Sequence, residues 1–154
     1  MSAAATPTVR PKEFHFPLAV QWEGSRRVAA CVEGKDAIEI APPPVFQGGE
    51  DPAIWSPEDL LVAAAATCLA VTFTGLAGRA GLAYDCLKVE ADGVCSVRSD
   101  GRFGFTRLLL KLELKTDATE EPLARELAQR AEENCLVSAS LDVAVETVVE
   151  VRHA

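Results

Sequence analysis

The amino-acid sequence predicts an α+β protein with antiparallel sheet and two helices. Apolar and polar residues alternate at strand spacing near both ends of the chain and in its middle. An uncharged, Ala-rich segment over residues 60–76 and an amphipathic segment after residue 119 separate these strands and indicate helices. The order strands, helix, hairpin, helix, strand is typical of the α+β class.

Three short strands in a meander are predicted for the N-terminal part of the chain. Apolar side chains share one strand face within residues 14–22, 28–32 and 38–40, and turn residues separate these segments. Residues 41–55 contain four prolines and the pair Gly48-Gly49, so they predict a long irregular loop. A loop of this length in a compact domain often has a function or covers a site.

The central helix is predicted to start at Ser56. This residue can cap the helix, Pro57 suits the first helical position, and the acids Glu58 and Asp59 face the positive end of the helix dipole. Apolar residues then lie on all sides, so we expect the helix to be buried all round. A membrane span is the competing interpretation, but the Ala, Thr and Gly residues of this run partition weakly into lipid.

A hairpin, a second helix and a last strand are predicted for the C-terminal part. Residues 84–97 alternate, Asp100-Gly101 is a hairpin turn signal, and leucines at every second position mark the return strand: Leu108, Leu110, Leu112 and Leu114. Thr119 or Asp117 can cap the second helix. Its apolar face carries Leu123, Leu127 and Ala131, and Cys135 continues that series. The last strand is expected within residues 141–151.

The length and net charge of the chain indicate the broad class of protein. The 154 residues predict a flexible tail over residues 1–12 and a single domain over residues 13–154. The tail lacks the apolar segment of a secretory signal, so the cytoplasm is the expected location. The net charge is −8 and no cluster of basic and aromatic residues occurs, which excludes a dedicated nucleic-acid binder.

The five cysteines are expected to be thiols. No Cys-x-x-Cys spacing occurs and the two histidines lie near opposite ends of the chain, so the sequence does not predict a zinc site. Cys31, Cys86 and Cys95 occur singly in predicted strands, as inert buried thiols do. Cys68 and Cys135 lie on helices that pack inward, so their sulfurs can meet. Two unconnected buried cysteines remain the alternative.

Two sequence motifs surround these cysteines. Residues 56–61 (Ser-Pro-Glu-Asp-Leu-Leu) lead into an Ala-rich run that ends at Cys68, and Cys135 is followed by Leu136, Val137 and Ser138. Both motifs resemble those of the OsmC/Ohr family, the osmotically inducible protein C and organic hydroperoxide resistance proteins. The second family motif is a cysteine followed by Pro-Val-Ser, so leucine stands here in place of the usual proline. The resemblance extends from about Phe14 to Val151.

The resemblance implies a fold and an activity. The OsmC-like fold has antiparallel sheets wrapped around long central helices in an intertwined homodimer, with active sites at the subunit interface. The implied activity is reduction of organic hydroperoxides to alcohols. Cys68 attacks the peroxide and becomes a sulfenic acid, Cys135 forms a disulfide with it, and an external dithiol, often a dihydrolipoyl group of a reductant protein, restores both thiols. No metal, cofactor, membrane or nucleic acid is required.

The resemblance also implies a glutamate and an arginine that activate the cysteine. Glu58 matches the glutamate, although an ordinary acid at a helix start is the alternative. It lies about 15 Å along the helix from Cys68, so it would serve the partner subunit's site. Arg26 is the favoured arginine, with a solvated turn residue as the alternative and Arg79 and Arg107 as further candidates.

The apolar residues near the predicted site also indicate the class of substrate. Bulky apolar residues suggest a site for organic hydroperoxides rather than hydrogen peroxide: Trp55, Leu61, Phe73 and Phe46.

One alternative function is a redox sensor that uses the same cysteines without turnover. The other is a non-catalytic dimer that binds an apolar ligand between its helices.

Overall fold

The computed structural model describes residues 12–46, 49 and 51–153. The chain forms two compact units, Met1–Trp55 and Ser56–Ala154. The predicted flexible tail lies outside the described residues, apart from Lys12. The prediction of a single domain from residue 13 stays a prediction.

The first unit contains an antiparallel meander. Strands β1 (Ala19–Gly24), β2 (Arg27–Cys31) and β3 (Ile38–Ile40) pair in the order β1-β2-β3, which confirms the predicted topology. The first strand begins later than expected, because residues 14–18 form no strand. Gly24 and Ser25 have positive φ values of 104° and 50°, which make the tight turn into β2.

An apolar stripe lies on and before β1. Its five side chains alternate along the chain as predicted, but each is at least 59% exposed in the single chain: Phe14, Phe16, Leu18, Val20 and Trp22. Monomeric proteins rarely expose contiguous apolar residues in this way, so the stripe indicates an interaction surface.

The loop after β3 is irregular in its described part, as the prolines predict. Its two ends are joined, because the amide of Ala41 donates to the carbonyl of Trp55 at 2.9 Å and a β-bridge links Ile40 to Trp55. The loop therefore leaves and returns at the same place in the first unit.

In the second unit, helix α1 spans Pro57–Ala80. Ser56 accepts a hydrogen bond from the amide of Asp59 at 3.0 Å, and its own amide donates to the Asp59 carboxylate at 2.8 Å. This reciprocal capping box confirms the predicted start of the helix. The helix ends at Gly81, whose φ of 73° is the left-handed conformation of a C-terminal cap.

Only one face of α1 is buried in the single chain. The buried residues recur at helical spacing and face the sheet and the second helix: Ala65, Leu69, Phe73, Leu76 and Ala77. Val71, on another face, is 70% exposed. Burial all round is therefore wrong for one chain. Within the described residues α1 is also the helix long and apolar enough to cross a membrane, a test that core helices of soluble proteins pass as well.

The sheet of the second unit is mixed. Strands β4 (Cys86–Val97) and β5 (Phe103–Thr116) form the predicted hairpin, and β6 (Ala144–His153) pairs with β5 in parallel. The expectation of purely antiparallel sheet is wrong here, because helices α2 (Glu121–Glu133) and α3 (Leu136–Ala139) carry the chain back before β6 begins. The α+β class itself is confirmed.

Local features differ from the predicted pattern in two places. A bulge between Val94 and Cys95 interrupts the alternation of β4 and leaves Val97 exposed. Helix α2 begins after Glu120 with no side-chain cap, so the predicted caps Thr119 and Asp117 are wrong. Helix α2 nevertheless buries the expected face, through Leu127 and Ala131.

Replacing Ser56 with alanine should destabilise the second unit. The substitution removes a buried cap from α1, so we expect the free energy of unfolding to fall by about 1 kcal/mol in urea denaturation. Thr119→Ala is the matched control and should change stability little, because Thr119 caps no helix. Equal losses in the two variants would show that the Ser56 cap contributes no more than an exposed threonine.

Candidate functional site

Cys68 lies near the middle of α1. It follows the exposed Thr67 and precedes the fully buried Leu69, so it is located at the border between the buried and open faces of the helix. Its thiol is only partly buried. This placement gives the sulfur both a packed environment and access from outside.

Cys135 lies at the start of α3. Helix α2 ends at Glu133, so the prediction that Cys135 continues its apolar face as helix is wrong. The residue has an extended backbone at the N-cap of α3, and it is 1% exposed.

The structure brings Cys68 and the α3 turn together. Burial raises the pKa of the Cys68 thiol, but hydrogen bonds from the Val137 amide, the Cys135 side chain, the Leu136 amide and the Thr72 hydroxyl lower it more. The pKa therefore lies below its ordinary value. These four donors are uncharged, so in the single chain they lower the pKa of Cys68 without a cation.

The donors follow from local structure. The first amides of any helical turn have no acceptor within the helix, so those of Leu136 and Val137 are available to Cys68. Thr72 lies four residues after Cys68 on α1 and so shares its face. Sequence reasoning missed all three donors, although the spacing of Thr72 could have indicated one.

A further hydrogen bond reaches Cys135 from its own turn. The Ser138 hydroxyl donates to the Cys135 sulfur at 3.2 Å. The turn is fixed by backbone bonds from Ala139 to the Cys135 carbonyl at 3.0 Å and from Leu141 to the Ser138 carbonyl at 3.2 Å. Both thiols thus have defined donors, and Ser138 belongs to the motif already noted in the sequence.

Glu58 lies in a different part of the second unit. Its Oε2 atom is buried and has no hydrogen-bond donor among the described residues. Burial and the Glu58 carboxylate both raise the pKa of Cys95. Glu58 is therefore close to Cys95 and about 15 Å along the helix from Cys68, as the spacing predicts.

The predicted arginines are all exposed. Arg26 lies in the turn between β1 and β2 of the first unit. Arg79 lies in the last turn of α1, and Arg107 lies on β5. The role predicted for Arg26 stays a prediction.

Only some of the side chains predicted to line the substrate site are exposed. Phe73 is fully buried in the core, in edge contact with Tyr84 at 5.9 Å between ring centroids, so it lines no open site. Leu61 is partly buried against the same core. Trp55 and Phe46 lie in the first unit and are exposed. No three His, Cys, Asp or Glu side chains of the described residues are grouped to bind a metal ion.

Fold and site together define an α+β protein with two facing thiols of unequal exposure. The sequence matches the OsmC-like protein family over residues 48–150, and the chain belongs to that family. It is also similar to the uncharacterized protein YmaD of Bacillus subtilis, at 29% identity over 142 residues, 90% of this chain and 93% of the relative.

Solved structures of related fold include proteins of two descriptions. An OsmC-like protein of unknown function from Vibrio cholerae matches with a TM-score of 0.81 and 19% identity, covering 89% of this chain and 99% of that one. An organic hydroperoxide resistance protein from Elizabethkingia anophelis matches with a TM-score of 0.72 and 19% identity, covering 93% and 100%. These likenesses confirm the OsmC-like fold.

Replacing Leu136 with proline should make Cys68 less acidic. Proline has no amide hydrogen, so the Cys68 thiolate loses one donor, and its alkylation by iodoacetamide at pH 7 should slow roughly two- to tenfold. The pH profile of the alkylation should shift to higher pH. Proline suits the first position of a helix, and the extended backbone of Cys135 tolerates a following proline.

Leu136→Ala is the control, because it keeps the amide and removes only a side chain that is 69% exposed. It should titrate like the wild type, with the alkylated Cys68 peptide quantified by mass spectrometry. If the proline variant keeps the wild-type profile, the Leu136 amide does not act on Cys68.

Proposed function

We propose that this protein is a thiol-dependent peroxidase that reduces organic hydroperoxides to alcohols. The observation that carries the proposal is a partly accessible cysteine of lowered pKa, Cys68, in hydrogen-bond contact with a buried second cysteine, Cys135. A thiolate attacks peroxides and a thiol does not, so a lowered pKa favours reaction at neutral pH. Organic hydroperoxide resistance proteins share the fold, which supports the assignment.

Reduction of the peroxide occurs in two steps. The Cys68 thiolate attacks the outer peroxide oxygen, the O–O bond breaks, and the alkoxide leaves as alcohol after it takes a proton; Cys68 is now a sulfenic acid. Cys135 then attacks the Cys68 sulfur, and the sulfenic hydroxyl leaves as water with the Cys135 proton. The product is a Cys68–Cys135 disulfide.

An external dithiol completes the cycle. It attacks one sulfur of the disulfide, and its second thiol displaces the mixed disulfide, so that both cysteines return as thiols. Cys68 is the sulfur open to attack, because Cys135 is buried. A dihydrolipoyl group of a reductant protein is the proposed donor, and no resident metal or cofactor is needed.

The proposed substrates carry an apolar group. Leu136, whose amide faces Cys68, is itself 69% exposed. An alkyl or aryl hydroperoxide gains from contact with this surface, and hydrogen peroxide does not. We therefore propose a preference for organic hydroperoxides.

A homodimer is the proposed functional form. The open face of α1 and the apolar stripe of β1 are both large exposed apolar surfaces in one chain. A second copy that covers them would give α1 the burial on all sides that its composition predicts. The buried Oε2 of Glu58 favours an arginine donor in the assembled protein, because a buried charged oxygen without a partner is costly.

A peroxidase assay with cumene hydroperoxide and dihydrolipoic acid tests the activity. We expect the wild type to turn over, Cys68→Ser to be inactive, and Cys135→Ser to consume one equivalent of peroxide and then stop. Cys86→Ser, at an exposed cysteine of β4, is the control and should behave as wild type. Hydrogen peroxide should be reduced more slowly than cumene hydroperoxide.

Other outcomes of the assay point to the alternatives. Disulfide formation by peroxide without recycling by any dithiol would indicate a redox sensor. If the wild type consumes no peroxide at all, the peroxidase proposal fails and a ligand-binding role replaces it.

Val71→Glu should dissociate the proposed dimer. The substitution places a charge on the open face of α1, so the mass measured by light scattering should fall from that of two chains to that of one. Val148→Glu is the control, since Val148 is 57% exposed on β6 and sits in a strand rich in charged neighbours. A wild type that is monomeric at micromolar concentration would contradict the proposal.

A further inference from the structure

The Ser138 hydroxyl, the Cys135 sulfur and the Cys68 sulfur form a row of hydrogen-bonded groups. Ser138 donates to Cys135 at 3.2 Å, and the Cys135 thiol donates to Cys68. Ser138 is itself only partly exposed. In such a chain of hydrogen bonds each bond polarises the next, so the bonds strengthen one another.

The buried position of Cys135 makes this donor important. A sulfur that attacks another sulfur does so as the thiolate, which a hydrogen-bond donor stabilises. Cys135 is almost fully buried, so water cannot supply the stabilising donors. The Ser138 hydroxyl is placed at the correct distance by the α3 turn, whose backbone bonds fix both residues.

We propose that Ser138 is a positioning residue for the resolving reaction, holding the Cys135 sulfur toward Cys68 and stabilising its thiolate as it attacks. This inference rests on the proposed function for its biological setting, but its chemistry requires only the two thiols. When the disulfide is later opened at Cys68, the same hydroxyl stabilises the departing Cys135 thiolate.

A nitrobenzoate disulfide reagent separates the two sulfurs without any peroxide. The Cys68 thiolate attacks the reagent, forms a mixed disulfide and releases one coloured nitrothiobenzoate. The Cys135 thiolate then attacks the Cys68 sulfur of that mixed disulfide, forms the Cys68–Cys135 bond and releases a second nitrothiobenzoate. The phase present in wild type and absent from Cys135→Ser is the resolving phase.

Ser138→Ala should slow this resolving phase about tenfold, the effect of one hydrogen bond to a charged group. The first phase at Cys68 should stay within about twofold, because the amide donors to Cys68 remain. Ser138→Thr keeps a hydroxyl and should restore the resolving rate. Ser140→Ala is the matched control, since the Ser140 hydroxyl donates to the Leu136 carbonyl at 2.8 Å and not to a thiol.

Two results would overturn the proposal. One is a resolving phase in Ser138→Ala that equals that of wild type. The other is equal slowing of both phases together with a lower melting temperature, which is the signature of a merely structural role. Because the reagent contains no peroxide, a protein without peroxidase activity still gives a clear answer about Ser138.

Discussion

The row of leucines on β5 is the contact on which the second unit depends. Leu108, Leu110, Leu112 and Leu114 are almost fully buried, and both long helices pack around the core that they form. Burying four such side chains contributes roughly 6–12 kcal/mol, comparable to the whole net stability of a small domain. Because α1 and α2 share this core, the residues after α2 are brought against the middle of α1. The meeting of Cys68 and Cys135 is a consequence of that packing.

The chemistry of the site then follows from a short turn. Helix α3 has only four residues, yet it supplies two amides to Cys68 and a hydroxyl to Cys135. One thiol is left partly open and the other is closed off. This inequality suits a reaction in which one sulfur meets an outside molecule and the other reacts only with its neighbour.

Much of the fold could be predicted because local physics dictates it. The capping residues before α1, the alternating leucines of β5 and the Asp100-Gly101 turn each specify one structure, and each is found. The direction of β6 could not be predicted, because the same alternation fits a parallel or an antiparallel neighbour. The open face of α1 could not be predicted, because an apolar composition does not tell which faces a single chain covers. For the site, the two cysteines were indicated by their motifs, whereas the amide donors were not, because backbone groups leave no trace in residue identity.

The use of amides and hydroxyls around Cys68 has a consequence for the conditions in which the thiolate persists. Mobile ions screen charged side chains strongly when these are exposed, and they screen fixed dipoles in a packed turn far less. The amides of Leu136 and Val137 and the Thr72 hydroxyl contribute to the acidity of Cys68 and carry no net charge. These contributions to the thiolate population are set by geometry, and we expect them to change little between dilute and concentrated salt.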